Sequence, residues 1–160
     1  MKLEKYLYKR LDPFAYQFYS RGSRGVIVMI VIFTPIDGNV YNLGFGALNK
    51  ETNEIDDSVE LRNGDTDEIL GTVAQIALDF LSDHPSTSIY ATGSCPKRTR
   101  KYQMGINKYY SYLAASYTIQ GFLVDKTIQD NSARPFDRWR GEWQTFQPGI
   151  NYDAFLLSRN

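Results

Sequence analysis

A single cysteine, Cys95, rules out an internal disulfide, and with a single histidine, His84, it cannot complete a four-ligand Cys/His zinc site. Long apolar runs are missing too. The longest, Val26 to Phe33, falls far short of the roughly 20 residues that a membrane-spanning helix needs. The opening Met1-Lys2-Leu3-Glu4-Lys5 leads into no apolar signal segment. These absences point to a reducing cytosol as the compartment. No low-complexity linker and no clear internal repeat divides the 160 residues, so 1–160 is expected to form a single domain. No cofactor is expected.

Net charge is absent as well, with 18 Lys/Arg against 18 Asp/Glu, but the balance hides a segregation. Residues 1–34 carry six cations and two acids, residues 35–83 two and eleven, and residues 84–110 five cations and no acid. Such blocks suggest a dipolar surface that steers an anion to one side, unless they interleave in space and cancel. Aromatic side chains are abundant, with 12 Tyr and 9 Phe, enough for a core of large rings with some to spare for a binding surface.

Apolar periodicity predicts an α+β fold: a curved antiparallel sheet backed by two helices. A four-strand meander comes first, then helix, strand, long helix and terminal strands. The segment from Leu3 to Leu11 fits a short helix or an irregular lead-in. Strands are expected from Phe14, over Val26–Phe33 (covered on both faces), over Val40–Leu48 and over Glu54–Leu61, separated by Ser20–Gly25, the Asp37-Gly38 turn and Asn49–Asn53. Gly44 and Gly46 suggest a bulge or a close backbone approach. Asp65 is placed to cap the first helix, with Glu68 completing a capping box and Ile69, Val73, Ile76 and Phe80 forming its apolar stripe. A strand over Thr87–Thr92 precedes a second helix from near Lys97 to about Ala115 or beyond, with Tyr102, Ile106, Tyr109, Leu113 and Tyr117 as its stripe. Phe122–Val124 and Tyr152–Leu157 read as strands, and Lys126–Gly141 as loop.

The set Tyr16-x-Phe18-x-Ser20-x-Gly22-x-x-Gly25, Tyr41-Asn42-Leu43-Gly44-Phe45-Gly46, Ile55-Asp56-Asp57, Asn63-Gly64-Asp65, Gly93-Ser94 with Arg98-Thr99-Arg100, and Asn151-Tyr152-x-x-Phe155 resembles an uncharacterised family of small bacterial proteins of about this length. The resemblance implies one domain in a bacterial cytosol and no particular activity. Cys95 and Lys101 stand where that pattern has Thr and Leu. The layout is also similar to the small single-stranded nucleic-acid binders of the Whirly and Pur type, an analogy that does not fix function.

The stretch from Gly93 to Tyr102 is the strongest functional signal. A helix N-terminus offers unpaired N–H groups and partial positive charge to a phosphate. Ser94 adds a hydroxyl, Lys97, Arg98, Arg100 and Lys101 add charge, and Tyr102 a ring. Arg21 and Arg24 supply further cations from the first turn. Plain solvation, or pairing of the arginines with Asp56-Asp57, would explain the same residues without a ligand. Rings beside cations suit single-stranded nucleic acid, where charge follows the backbone and aromatic faces hold the bases.

An enzymatic alternative assigns Asp56, Asp57, Asp65, Asp67 and Glu68 to Mg²⁺ in a phosphodiesterase or nuclease-like toxin, although adjacent strand residues point to opposite faces. A third reading is a partner-binding module of a toxin-antitoxin or phage-defence pair, in which the acidic and basic faces meet complementary surfaces. Trp139 and Trp143 among flanking arginines form a second mixture of rings and cations, suited equally to nucleic acid and to gripping a protein partner. The partners implied are thus a nucleic acid or other phosphate-bearing ligand, a protein partner or a second copy of the chain, and no membrane. His84, before a proline at a helix end, is expected to cap carbonyls.

Overall fold

The structure is a computed structural model that describes residues 5–56, 63–93, 96–125 and 141–160. Its strands are β1 (Tyr8–Asp12), β2 (Ala15–Gly22), β3 (Gly25–Asp37), β4 (Val40–Asn49), β5 (Glu54–Asp56), β6 (Ser88–Ala91), β7 (Tyr117–Val124), β8 (Gly141–Thr145) and β9 (Ala154–Arg159), with helices α1 (Thr66–Asp83) and α2 (Pro96–Leu113). They form one sheet in the order β1-β2-β3-β4-β6-β9-β7-β8, with β5 also on β4. The segment left open between helix and lead-in is thus partly a strand, and the basic turn is tighter than expected, because β2 and β3 pair out to Gly22 opposite Gly25. Gly25, directly after the Ser23-Arg24 turn, sits at φ +87, a left-handed conformation that favours glycine.

The sheet is mostly antiparallel, with a parallel seam between β4 and β6. It arises because α1 carries the chain back across the sheet before β6 begins, the usual way to join parallel strands. The C-terminal β9 then inserts between β6 and β7, antiparallel to both. The strand expected over Glu54–Leu61 is described only as β5, its remainder lying outside the described residues. So does nearly all of the expected Lys126–Gly141 loop, and Gly141 itself opens β8.

Both helices pack on one face. The stripe Ile69, Val73, Ile76 and Phe80 is buried against Tyr16, Phe18, Met29, Val31, Phe33, Leu43 and Phe45 of β2–β4. Tyr109 and Leu113 of α2 close a second cluster with Ile119, Phe146 and Phe155. Two expectations fail locally. α2 ends at Leu113, so Tyr117 belongs to β7. No bulge falls at Gly44 or Gly46, which sit in an unbroken ladder opposite Ile32 and Ile30; the irregularity of that pair is at Pro35/Asp37, and a side chain at Gly44 would meet only an ordinary contact with Ile32 at 3.7 Å.

A small apolar hollow of about 80 Å³ remains between the helices and the sheet, bordered by Leu70, Ala74, Leu78, Ile106 and Ile119. Gly105 faces it, and a methyl group added there would lie 3.9 Å from the Leu70 Cβ, an ordinary contact. Gly105→Ala is therefore expected to stabilise the fold by about 1 kcal/mol through helix propensity alone. A urea titration should show the higher midpoint with an unchanged slope.

Candidate anion-binding site

Gly93 ends the chain's run out of β6 directly beneath the first turn of α2. A Cβ there would sit 2.2 Å from the Arg98 Cβ and 2.4 Å from the Thr99 backbone nitrogen, so only glycine allows the crossing. The Gly93 N–H donates to the Thr99 hydroxyl at 3.0 Å, which ties the loop to the helix start. Ser94 and Cys95, between these points, lie outside the described residues.

Helical periodicity then sorts the basic residues. Lys97 and Arg100 are exposed, Lys101 and Tyr102 are half-buried, and Arg98 is buried at 8% exposure. The Tyr102 hydroxyl donates to the Leu43 carbonyl at 3.2 Å, and its ring meets Phe45 edge-on. Tyr102 is thus an anchor of the helix on β4. Arg98 lines small hollows on both sides of itself, one with Asn42, Thr92 and Tyr102, the other with Thr66 and Lys101. Arg98 and Lys101 each take part in contacts within the protein, so neither is an idle cation. The outward cations of this turn are Lys97 and Arg100.

The hollow shared by Thr66, Arg98 and Lys101 shows that the first turn of α1 abuts that of α2. Leu70 faces Gly105, while Leu78 shares a cluster with Tyr109 and Leu113. The helices therefore run in the same direction, and both positive dipole ends lie at one end of the molecule. No acid stands in the first turn of α2, whereas α1 has Asp67 and Glu68 in its own.

The hairpin bearing Arg21 and Arg24 is fastened to this same end by a buried polar network that local patterns did not reveal. Asn63, at 1% exposure, donates from Nδ2 to the Ser20 hydroxyl (2.9 Å) and the Gly25 carbonyl (3.2 Å), and accepts from the Arg24 backbone N–H at 2.6 Å. A Cβ on Gly22 would fall 1.8 Å from the Asn63 carbonyl oxygen. Ser20 and Tyr6 in turn donate to Asp65 Oδ2, at 2.5 and 2.7 Å. Burial, then the bond to Asp65, pushes the Tyr6 phenol above its ordinary pKa.

Asp65 consequently makes no side-chain cap on α1. The expected capping box is replaced by tertiary bonds to residues 45 and 59 positions away. Asp67 lies 3.4 Å from Lys108 Nζ. Of the acids invoked for a metal, Asp65 is thus buried under two hydroxyls and Asp67 is paired; Asp57 lies outside the described residues. Among the described residues no group of three His, Cys, Asp or Glu side chains converges.

His84 does cap, its backbone N–H and Nδ1 meeting the Phe80 carbonyl at 2.9 and 3.1 Å. Trp143 packs against Tyr90 and Phe122 in a separate cluster, while Trp139 is outside the described residues. No helix among the described residues is long and apolar enough to cross a membrane.

A family profile matches residues 2–160. The chain belongs to the DUF6934 family, a family of unknown function. No curated protein and no solved structure matches it. In this DUF6934 chain the Asn-Gly-Asp run and the Ser20-x-Gly22 hairpin are thus parts of one clamp, which holds the Arg21/Arg24 turn against the start of α1.

Proposed function

We propose that the protein binds a phosphate-bearing polyanion, with single-stranded nucleic acid the favoured class, across the end where α1 and α2 begin. The observation that carries this reading is the first turn of α2, which holds Lys97, Arg98 and Arg100 and no acid. Cations at the positive end of a helix dipole are unfavourable by up to about 1 kcal/mol each, and a bound phosphate reverses that sign. Lys97 and Arg100 reach outward for it, and Arg21 and Arg24 add two further cations at the tip of the hairpin that the Asn63 clamp fastens to the start of α1.

Tyr19, exposed at 41%, lies two residues before Arg21 and so on the same face of β2. That face is the one turned away from the helices, since Phe18 and Ser20, on either side of Tyr19, point toward α1, so the ring and cation would serve a strand that wraps over the hairpin tip.

The test is fluorescence anisotropy with a labelled oligonucleotide over a salt series. Affinity is expected to fall linearly with salt on logarithmic axes. The Lys97→Ala/Arg100→Ala variant, altering only exposed side chains, should make that slope shallower by about 1.4, at roughly 0.7 per phosphate contact on a single strand. No binding at low salt, or an unchanged slope in the variant, contradicts the proposal.

A further inference from the structure

The two helices that lie side by side divide the charge between them. α1 carries Asp67, Glu68, Asp79 and Asp83 and no Lys or Arg, whereas α2 carries Lys97, Arg98, Arg100, Lys101 and Lys108 and no acid. A surface helix ordinarily mixes both signs, because opposite charges three or four residues apart support it and like charges weaken it. On α2 the neighbours Lys97/Arg100 and Lys97/Lys101 are cations throughout.

The acids of α1 do not cancel this charge across the groove. Asp67 meets Lys108 Nζ at 3.4 Å. Asp79 and Asp83 turn instead toward β1, away from α2, where Asp79 accepts from the Tyr8 hydroxyl and from Gln75, and Asp83 pairs with Arg10. Lys97 and Arg100 have no acid partner among the described residues.

Helical spacing gathers the outward side chains of α2 into one stripe. At about 100° per residue, Lys97, Met104, Lys108 and Ser111 fall within about 60° of arc, with Arg100 on one flank and Tyr112 on the other. All six are exposed, Met104 at 52% and Tyr112 at 44%. The stripe begins in cations and ends in a ring, about 22 Å from Lys97 to Tyr112 at 1.5 Å per residue.

We propose that the strand bound at the helix starts leaves them along this stripe, its phosphates on Lys97 and Arg100 and its bases over Met104 and the Tyr112 ring. This rests on the polyanion reading and deepens it: the ligand is a single strand with unpaired bases, and its path follows α2 rather than crossing the acidic α1. At the 3.4 Å spacing of a stacked strand, the stripe takes about six nucleotides. Exposed rings hold bases by their faces whatever the sequence. A duplex keeps those faces inside its own stack, and an acidic peptide has no such face to lay on Tyr112.

Fluorescence anisotropy of the intact chain with labelled oligothymidylate, alone and annealed to oligoadenylate, tests this path, with polyglutamate as competitor. Tyr112→Ala should weaken the single strand about tenfold, the worth of one stacked base, and leave the salt slope unchanged, because no phosphate contact is lost. Tyr112→Phe keeps the ring and should bind like the parent. Against the duplex the Tyr112→Ala penalty should disappear. Both variants alter an exposed side chain and should fold as the parent does, which their urea midpoints would verify. The inference is overturned, with the polyanion reading left standing, if Tyr112→Ala binds the single strand like the parent, if it flattens the salt slope, or if the duplex binds as tightly as the strand. It is overturned as well if polyglutamate displaces the strand as effectively as unlabelled oligothymidylate does. If no oligonucleotide binds at low salt, both readings fall together.

Discussion

Phe80→Ala should lower the unfolding free energy by about 3–5 kcal/mol, the usual cost of removing a fully enclosed phenyl ring. The ring is 0% exposed and lies face to face with Phe33, at 4.0 Å between centroids and 9° between planes. Tyr41 meets it edge-on at 5.4 Å and His84 stacks on it at 4.4 Å. Deleting it removes the contact that joins α1 to β3 and β4, and the neighbouring rings are held on different strands, which limits how far they can close the gap. Urea unfolding followed by circular dichroism would measure the loss. A decrease below about 1 kcal/mol would mean that this ring cluster is not the centre of the core.

Asn63→Ala carries the second largest expected effect, about 3 kcal/mol, because it removes both donors and the acceptor of a buried amide at once. The hydroxyl of Ser20, a residue 0% exposed, then loses Asn63 and keeps only Asp65 as a partner. The Gly25 carbonyl and the Arg24 N–H lose theirs to the amide. The loss should be local as well as global, with amide exchange at Ser23, Arg24 and Gly25 rising more than exchange in the β3–β4 ladder. Oligonucleotide affinity should fall with it, since the amide holds the Arg21/Arg24 turn against the start of α1. Asn63→Asp keeps the acceptor for Arg24 but sets a second carboxylate near Asp65, and should not rescue either property. Wild-type exchange at the turn in Asn63→Ala would show that the backbone bond from Ser23 to Asn63, at 3.1 Å, suffices alone.

The elements legible in the sequence were those whose partners are near in the chain. α1 announced itself through a stripe that repeats with the helical period, and β2, β3 and β4 through turns at Arg24-Gly25 and Asp37-Gly38. β1 was obscure because it is an edge strand, exposed at four of its five residues, with no alternation to read. β9 read as a strand, but its place between β6 and β7 depends on pairings with segments more than 30 residues away.

The candidate site divides the same way. A basic helix start was visible from composition, whereas the inward turn of Arg98 depends on how α2 lies on β4. Asp65 misled because the local capping pattern is genuine, and only the fold brings Ser20 and Tyr6 close enough to compete for its carboxylate. Asn63 stood out only as half of an Asn-Gly turn signal, and its amide became a clamp once the β2–β3 hairpin was laid across it.

The central claim, that the convergent helix starts form a polyanion site, is tested most directly by mapping amide shifts of the ¹⁵N-labelled protein during titration with a short single-stranded oligonucleotide. The account predicts that Gly93, Lys97, Arg100, Arg21 and Arg24 move together and saturate at one concentration, while β8 and the last turn of α1 stay still. Shifts centred on β8 or on Tyr8 and Asp83, or none at low salt, would contradict it.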